Sequence, residues 1–394
     1  MAIGDIISVK INEVVASGDG LARFGSKAVF VNRSCVGETL EVRVYAEQPT
    51  WMRAEFRKVI GKVSPDRVKP RCEFFGECGG CTMQHLRYEA QLKAKVARFI
   101  DKFRHEAGFR PPEPRVVASH TWEFQNYRHF FAKKETRSGG ITHMALGLTN
   151  VRGDGIVPVS DCPIADPGIR AVLQDTAKNG SMPLPVYADK ILMYSLGGLF
   201  LYDTGLRRGK IRFLDREIAV DVDAFIPSNI PVMETLIADL GDIAGTADHS
   251  RPMADIYCGI GLFSAFLAEE FPGADLADEN SRAIAMARIN VTAKNLRFFA
   301  VKDRHWVSDV QPPAGAYGFM VVDPPSVNRL PRSLLEWLAE GGPPVLAYRS
   351  QDTALFARDA RVLCGAGYRL PRVTMYDFCP HTGFTDTLAV FERG

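Results

Sequence analysis

The sequence predicts a multidomain α/β protein with three parts, at residues 1–63, 64–240 and 241–394. Short β-branched, alternating runs separated by glycines fill the first part and predict a small antiparallel barrel of the OB type. The second part alternates strand-like runs with Gly-rich turns, so we expect it to be mostly β. Strand and helix patterns alternate after about residue 250, which is typical of a doubly wound, Rossmann-like sheet.

Composition and the first residues exclude several classes of protein. Hydrophobic residues make up 46% of the chain and charged residues 24%, which excludes a disordered or fibrous chain. No stretch approaches the roughly 18 uninterrupted apolar residues that a membrane helix needs. The first ten residues, MAIGDIISVK, have neither the basic nor the apolar region of a secretory signal. We therefore expect a cytoplasmic protein with no membrane partner, acting as a monomer.

The charge is unevenly distributed along the chain. The net charge is only +2, from 48 Lys and Arg against 46 Asp and Glu. Residues 1–115 hold 20 basic and 14 acidic residues, or +6, which leaves 28 and 32, or −4, for the rest. A basic N-terminal part hints at a polyanion such as RNA as partner. An uneven distribution without functional meaning is the alternative.

Two helices are predicted around the second part. Residues 84–107 have apolar positions at helical spacing with Lys and Arg between them, so we expect a helix with a basic face that packs on the C-terminal part. A second helix is expected to begin at Ser228 as N-cap, with Pro231 in its first turn. This second helix would close the mostly β region.

Four of the eight cysteines form a pattern that indicates a metal site. Cys72, Cys78 and Cys81 crowd into ten residues, and Cys162 follows at a distance. Three close thiolates and one distant thiolate favour a [4Fe-4S] cluster, while zinc and free structural thiols remain alternatives. Three other cysteines lie in apolar patterns and are expected to be small buried residues: Cys35, Cys258 and Cys364.

A glycine turn followed by carboxylates predicts a nucleoside site. Gly259 and Gly261 lie where a strand gives way to a helix, which permits close approach of a ligand. Glu279 follows the next strand and is placed to accept hydrogen bonds from ribose hydroxyls, and Asp303 and Asp323 follow the third and fourth strands. A third glycine, as in a dinucleotide fold, is missing. The pattern therefore favours S-adenosylmethionine (SAM), whose sulfonium suits acidic loops; surface carboxylates of an unrelated domain are the alternative.

These motifs together resemble the RNA 5-methyluridine methyltransferases, which use SAM to methylate uracil C5 in ribosomal or transfer RNA. GDGLARFGSKAVFVNRSCVGE is similar to their RNA-binding TRAM domain, and RCEFFGECGGCTMQH with Cys162 is similar to their [4Fe-4S] ligands. ADIYCGIGLFS, VVDPPS and DFCPHTGFTDTLAVFER resemble their cofactor and catalytic motifs. The resemblance covers nearly the whole chain. It also implies that Tyr257 and Leu262 line the SAM pocket.

The reaction of this family requires particular catalytic residues and an RNA-binding surface. Uracil C5 is a poor nucleophile, so these enzymes add a cysteine thiolate to C6, and the resulting enolate attacks the methyl group. A carboxylate then removes the C5 proton and the thiolate leaves. The target base must first leave its stack, which requires a pocket and a surface that holds RNA.

This chain departs from the family at the catalytic positions. Gln351 takes the place of the nucleophilic cysteine, and an amide cannot perform conjugate addition. Asp386 matches the proton-abstracting glutamate, and Phe384 matches a histidine two residues before it. Pro227 matches a glutamine that contacts the cofactor, and Ser326 matches an arginine.

Three interpretations follow from these departures. The chain is a methyltransferase with a different target atom that needs no covalent adduct, or it is an inactive RNA-binding protein that assists RNA folding or assembly. In the third interpretation, Cys379 acts as a relocated nucleophile; a small core residue is the alternative for that thiol. Asp386 is the candidate acid or base, with a solvated loop carboxylate as its alternative.

Overall fold

The computed structural model describes most of the chain. The described residues are 3–15, 17–136, 142–181, 190–202, 205–224, 226–325 and 329–393, so Ser326 lies outside them. Within these ranges, no helix is long and apolar enough to cross a membrane.

Six strands near the N-terminus form one sheet. They are Ile6–Lys10 (β1), Glu13–Val14 (β2), Gly20–Phe24 (β3), Lys27–Val31 (β4), Thr39–Glu47 (β5) and Trp51–Ile60 (β6), in the order β1-β5-β6-β4-β3-β2. Only the β4–β6 pair among them is parallel. Every second side chain of β1 is buried, so Ile7 and Val9 join Val42 and Val44 in a small apolar core.

The described residues in the middle of the chain form two sheets and three helices, together with one strand that joins a third sheet. The strands are Arg115–Val117 (β7), Tyr127–Thr136 (β8), Thr142–Thr149 (β9), Ile156–Pro158 (β10), Lys190–Leu196 (β11), Leu199–Tyr202 (β12), Arg208–Phe213 (β13) and Arg216–Asp221 (β14). The helices are Tyr88–Ala107 (α1), Pro167–Asn179 (α2) and Ile230–Ala244 (α3). One sheet has the order β10-β9-β8-β11-β12, and β13 and β14 form a hairpin.

An eight-stranded sheet dominates the C-terminal part. Its strands there are Met253–Ile256 (β15), Ala274–Asp278 (β16), Leu296–Ala300 (β17), Phe319–Val322 (β18), Val345–Ser350 (β19), Arg369–Tyr376 (β20) and Asp386–Glu392 (β21). The helices are Leu262–Leu267 (α4), Ser281–Asn290 (α5), Asp303–Val310 (α6), Arg332–Gly341 (α7) and Thr353–Gly365 (α8). The strand order is β17-β16-β15-β18-β19-β21-β20-β7, and the first five strands are parallel.

The parallel strands are buried on both faces. Every residue of β15, β18 and β19 is buried, because helices cover both sides of the sheet. The expected strand and helix alternation is therefore present after residue 250. β21 is antiparallel to both β19 and β20, an arrangement that the alternating pattern did not predict.

The core around this sheet includes residues that precede position 241. Phe213 of β13, Val220 of β14 and Leu236 of α3 lie in the same apolar cluster as Phe319 of β18. At the sheet's outer edge, β7 pairs in parallel with β20. These contacts join the middle and C-terminal parts of the chain. The limits 1–63, 64–240 and 241–394 stay a prediction.

Helix α1 is shorter than its sequence pattern predicts. It begins at Tyr88, because the backbone N–H of Arg87 donates to Asp66 and that of Leu86 donates to Met83, outside any helical ladder. It ends at Gly108, whose φ of 82° forms a left-handed cap. Its buried face packs on α8, where the rings of Phe99 and Phe356 stack with centroids 6.4 Å apart.

Helix α3 begins one residue later than predicted. Its N-cap is Asn229 and not Ser228, because the Asn229 carboxamide oxygen accepts a hydrogen bond from the backbone N–H of Val232. The Asn229 amide nitrogen also donates to the carbonyl of Phe378, which ties the cap to the C-terminal loop. Pro231 lies in the first turn, as predicted.

Candidate active site

The main candidate site lies along the carboxyl ends of the five parallel strands. A cavity of about 410 Å³ opens there. Its walls come from the ends of β15 to β19 and from the residues before α3: Pro227, Met233, Ile256, Tyr257, Cys258, Gly259, Ile260, Leu262, Phe263, Ala277, Asp278, Glu279, Asn280, Val301, Asp303, Trp306, Asp323, Pro324, Pro325, Arg349 and Gln351. Ligands of open α/β sheets bind at this edge.

The glycine turn after β15 has the backbone that its sequence predicts. Tyr257, Gly259 and Gly261 all have positive φ, at 66°, 52° and 76°. A Cβ at Gly261 would lie 2.9 Å from Val291, so only glycine fits. Gly259 lines the cavity, whereas Gly261 caps α4 and is not among the lining residues.

The carboxylates after the neighbouring strands surround this turn. Glu279 and Asp303 both line the cavity, as do the predicted Tyr257 and Leu262. The hydroxyl of Tyr257 donates to Asp303 over 2.9 Å, which fixes the direction of that carboxylate. Asp278 precedes Glu279 at the same strand end, and its Oδ2 accepts a hydrogen bond of 2.9 Å from the backbone N–H of Gly259, a contact that the sequence did not predict. Asp278 thereby holds the glycine turn in place.

A further carboxylate, Asp255, lies in β15 and is not among the residues that line the cavity. Asp255 is fully buried, and its Oδ2 accepts a hydrogen bond of 2.6 Å from the hydroxyl of Ser264. Its Oδ1 has no partner within the described residues. Burial raises the pKa of Asp255 to about 7, and the nearby charge of Asp323 contributes.

Arg349 joins two of the predicted site residues. Its Nη1 donates to Asp323 and its Nη2 to Asp386, each over 2.7 Å. The side chain is only 3% exposed and lies over the ring of Phe378, with 5.2 Å from its guanidinium carbon to the centroid. Burial raises the pKa of the Asp323 and Asp386 carboxyls, and the Arg349 charge opposes that rise.

Sequence reasoning missed Arg349 although the chain carries a signal for it. VLAYRS is a fully buried strand, and a charge inside such a strand requires a partner. The partner could not be identified from local pattern, because Asp386 begins β21 at the far end of the chain. It reaches Arg349 only through the antiparallel β19–β21 pairing.

Gln351 and Asp386 meet at the end of β19. Gln351 lines the cavity, and its side chain lies close enough to Asp386 to lower the pKa of that carboxyl. Asp386 is 7% exposed and is not among the lining residues. The alternative of a solvated loop carboxylate therefore does not hold for Asp386, which is a buried partner of Arg349.

Cys379 lies near Asp386 but outside the cavity wall. It is half-buried, and its backbone carbonyl accepts a hydrogen bond of 3.1 Å from Lys95. Burial raises the pKa of the thiol to about 12, and the charge of Asp386 adds to the effect. A thiol in this environment stays protonated, which is unfavourable for a nucleophile. Phe384, which lies two residues before Asp386 and matches a histidine in the resemblance, is 70% exposed.

The four predicted ligand cysteines share one small chamber. Cys72, Cys78, Cys81 and Cys162 all line it, together with Gln84, whose Oε1 accepts a hydrogen bond from the backbone N–H of Cys72. In the described part of the chain, however, no three His, Cys, Asp or Glu side chains converge on the position of a single metal ion. Burial raises the pKa of Cys72 to about 11 and that of Cys81 to about 12.

The two glycines of the cysteine loop lie against different kinds of neighbour, backbone at Gly79 and a side-chain end at Gly80. A Cβ at Gly79 would lie 2.8 Å from the carbonyl oxygen of Asn150, and one at Gly80 would lie 2.1 Å from Nη2 of Arg128. The backbone N–H of Gly80 points at Sγ of Cys78 over 3.4 Å. A side chain at Gly79 would displace backbone, whereas one at Gly80 would displace only the end of the Arg128 side chain.

The cysteine loop is bonded directly to the C-terminal loop. The backbone N–H groups of Thr82 and Met83 both donate to the carbonyl of His381 over 2.8 Å. His381 has a φ of 64°, and its backbone N–H donates to the Gln91 side chain over 2.9 Å. The loop that precedes Asp386 is therefore held by residues next to Cys81.

The other three cysteines differ from one another. Cys35 is fully buried, as expected. Cys258 is also buried but lines the cavity, where its thiol lies 3.7 Å from the carbonyl oxygen of Gly259. Cys364 on α8 is half-buried and packs against the core cluster, so it is less buried than expected.

Comparisons with known proteins agree with the resemblance in the sequence. A family model described as a methyltransferase small domain matches residues 235–336. An uncharacterized RNA methyltransferase of Treponema denticola is 25% identical, over 98% of both chains. The 23S rRNA (uracil(1939)-C(5))-methyltransferase of Shewanella sp. is 26% identical, over 98% of this chain and 95% of its own.

One solved structure matches the whole fold. The tRNA (uracil-54, C5)-methyltransferase of Pyrococcus abyssi superposes with a TM-score of 0.71 at 19% identity, over 98% of this chain and 100% of its own. The chain therefore has a mixed α/β methyltransferase fold, which confirms the predicted fold class at that level. The resemblance to RNA methyltransferases is likewise confirmed.

Proposed function

We propose that this chain is a SAM-dependent methyltransferase that acts on RNA and descends from the uracil-C5 enzymes. One observation carries the proposal: a single cavity joins the glycine turn and the Glu279 and Asp303 carboxylates to a second wall formed by Asp323 and Gln351. A methyl donor and a methyl acceptor need adjoining sites of this kind. RNA as the substrate is supported by the whole-length similarity to RNA methyltransferases.

The residues of the first wall have roles that fit SAM. Gly259 allows the cofactor to approach the backbone, and the Glu279 carboxylate accepts hydrogen bonds from the ribose hydroxyls. Asp303, oriented by Tyr257, accepts a hydrogen bond from the adenine amine. The carboxylates around the cavity favour a cationic sulfonium. Tyr257 and Leu262 pack against the cofactor.

Methyl transfer to RNA tests this proposal directly. Purified full-length protein is incubated with methyl-labelled SAM and with unmodified transcripts of ribosomal and transfer RNA. Label in the RNA is the expected result. SAM that binds without any transfer of label would contradict an enzyme and would support the second candidate.

The second candidate is an RNA-binding protein without catalysis, acting in RNA folding or assembly. It is favoured by one observation: Arg349 pairs with both Asp323 and Asp386, and Gln351 stands where the family has its cysteine. These contacts occupy the carboxylates that the family's chemistry would use. RNA binding at full affinity with no label transfer from any of the transcripts distinguishes this candidate.

A [4Fe-4S] cluster held by Cys72, Cys78, Cys81 and Cys162 is part of the proposal. The shared chamber, the soft sulfur donors and the two crowded glycines fit such a group. Zinc, which thiolates also bind, is the rival occupant of these four cysteines. When bound, a cluster supplies electron storage or a rigid anchor for the loop.

Iron content tests the cluster independently of activity. Anaerobically purified protein should be brown and hold about four irons per chain. Cys162→Ser should lose the colour and most of the iron, whereas Cys364→Ser, which changes a cysteine outside the chamber, should keep both. A colourless protein that holds zinc would refute the cluster.

The N-terminal sheet is proposed as an OB-like TRAM module that binds RNA. A groove of about 140 Å³ between this sheet and the cysteine loop has three arginines and a tyrosine in its walls. They are Arg33, Arg53, Arg152 and Tyr45, and the Arg152 guanidinium lies over the Tyr45 ring at 5.3 Å. Cations beside an aromatic ring suit phosphates and stacked bases.

Salt dependence tests the RNA groove. The double variant Arg53→Gln, Arg152→Gln should bind RNA more weakly and show a shallower dependence of log affinity on log salt, by about 1.5 for the two lost contacts. Arg332→Gln, on α7, is the control with unchanged binding. Equal salt slopes for all three proteins would place the RNA contact elsewhere.

A further inference from the structure

We propose that the Asp323 side of the cavity serves direct methyl transfer to a nitrogen atom of a nucleobase, with Asp323 as the proton acceptor. This inference rests on the proposed function, and it names the acceptor atom. It distinguishes the site from one that methylates a pyrimidine carbon through a covalent adduct.

The order of the strands separates donor and acceptor sides of the cavity. Glu279 follows β16, on one side of the glycine turn after β15, and Asp323 and Gln351 follow β18 and β19 on the other side. Neighbouring strands lie about 4.8 Å apart, so β16 and β18, on either side of β15, are about 10 Å apart. Asp323 keeps 18% of its side chain exposed and lines the cavity, so a base can reach it.

The acceptor wall lacks the nucleophile that carbon methylation needs. Gln351 contributes an amide. Among the described residues, the only thiol in the cavity wall is that of Cys258, which belongs to the cofactor's glycine turn on the donor side. Cys379 is not part of the wall and lies against Lys95. A pyrimidine carbon would therefore remain unactivated, whereas a nitrogen brings its own lone pair.

Arg349 fixes the acceptor wall. Its two terminal nitrogens hold Asp323 and Asp386, and Phe378 supports the guanidinium plane, so Asp323 has one orientation. The Nε–H of Arg349 is buried and has no partner in the described part of the chain. Two carboxylates and one guanidinium leave a net charge of −1, which suits a sulfonium and an N–H donor. Arg349 is thus a positioning residue for Asp323.

The reaction balances without any further reagent. The nitrogen lone pair forms the new bond to the methyl carbon, and the bond from that carbon to sulfur breaks with its electron pair, which leaves S-adenosylhomocysteine. The N–H proton of the acceptor passes to the Asp323 carboxylate and from there to solvent. An exocyclic amine meets these requirements, and so does a ring N–H whose proton passes to Asp323 as the new bond forms.

Nucleoside analysis of the labelled RNA identifies the acceptor. The full-length protein is incubated with methyl-labelled SAM and unmodified ribosomal and transfer RNA transcripts, which are then digested to nucleosides. The proposal expects label in an N-methylated nucleoside. Label in 5-methyluridine would overturn it while leaving the proposed function intact. Absence of label from every transcript would overturn both.

A second arm detects the covalent adduct itself. Transcripts that carry 5-fluorouridine trap an enzyme whose cysteine adds to C6, because the fluorine cannot leave as a proton does. The proposal expects no protein–RNA band that survives denaturation, and unchanged N-methylation of these transcripts. A stable band would overturn the proposal.

A variant tests the role of Asp323. Asp323→Asn should lower kcat by about 100-fold or more while SAM affinity stays close to that of the wild type. The substitution also lowers the thermal midpoint, because Arg349 loses a charged partner, so kcat is measured well below that midpoint. Asp309→Asn, which changes an exposed carboxylate on α6, is the matched control with unchanged kcat. Equal kcat for Asp323→Asn and the wild type would exclude Asp323 as the proton acceptor.

Discussion

Lys95 and Asp377 form a buried ion pair that joins helix α1 to the C-terminal loop. The Nζ–Oδ1 distance is 2.6 Å, and the two side chains are only 1% and 2% exposed. The hydroxyl of Tyr88 donates to the other oxygen of Asp377 over 2.8 Å. The same lysine donates to the carbonyl of Cys379. The pair therefore fixes the loop that leads to Asp386.

Lys95→Met should destabilise the protein strongly. It leaves the Asp377 carboxylate buried without its cation, which costs about 3–5 kcal/mol. The free energy of unfolding, from urea titration, measures the loss. Lys93→Met removes an exposed lysine from the same helix and should change that free energy by less than about 0.5 kcal/mol. Equal effects of the two substitutions would contradict a structural role for the pair.

The carboxylate of Glu279 should account for much of the cofactor's affinity. Glu279→Gln keeps the shape of the side chain but replaces a charged acceptor of the ribose hydroxyls, a change of about 1.5–3 kcal/mol. Calorimetry should show SAM binding weakened by about 10- to 100-fold. Glu270→Gln, an exposed neighbour outside the cavity, should bind SAM as the wild type does. Unchanged affinity in Glu279→Gln would place the ribose elsewhere.

The cofactor wall was predictable from local sequence, whereas the acceptor wall was not fully predictable. Gly259, Glu279 and Asp303 follow strands whose alternation with helices is readable, and parallel strands bring their carboxyl ends to one edge. Arg349 finds Asp386 only through β21, which pairs antiparallel across a long loop. A pairing between distant strands leaves no periodicity in the sequence around either residue. The acceptor wall was for this reason only partly predictable.

Arg349→Met should lower stability in a pH-dependent way. Burial already raises the pKa of Asp323 and Asp386, and loss of the guanidinium raises both further. A folded-state pKa above the unfolded value reduces stability as pH rises, so the variant should lose about 3–5 kcal/mol at about pH 8 and less at about pH 5. Urea titrations at both pH values measure the two losses.

A matched control separates this effect from a general loss of charge. Arg361→Met changes an exposed arginine of α8 and should show the same small change at both pH values. If Arg349→Met lowered the free energy of unfolding equally at both pH values, the ionisation of Asp323 and Asp386 would not be the source of the loss.

Removal of the proposed [4Fe-4S] cluster should increase the mobility of the C-terminal loop. Thr82 and Met83 adjoin Cys81, and their N–H groups hold the carbonyl of His381. Chelation of the proposed cluster frees the cysteine loop, so amide hydrogen exchange should accelerate at Thr82, at Met83 and across residues 379–386. Exchange in Arg332–Gly341, the helix α7, is the internal control. If hydrogen exchange at residues 379–386 were unchanged after complete loss of iron, the cluster would not support the loop that leads to Asp386.

Asp255 should make the stability of the protein fall as pH rises. Its pKa is raised from the ordinary 3.8 to about 7, mainly by burial, so the folded state holds this proton more tightly than the unfolded chain. Stability from this group is therefore fully present below about pH 4, decreases between about pH 4 and about pH 7, and stays low above that window. Asp255→Asn removes the titration while it keeps the size of the side chain.

The difference in stability between Asp255→Asn and the wild type should increase with pH. Between about pH 5 and about pH 8 we expect a gain of about 2–3 kcal/mol for the variant, because about two pKa units of the shift fall inside that range. Urea titration at several pH values gives the difference directly. Asp309→Asn, at an exposed position, should give a difference that is flat with pH. A flat difference for Asp255→Asn as well would mean that the carboxyl group is already ionised in the folded protein, and that water or a cofactor then solvates the oxygen that has no protein partner.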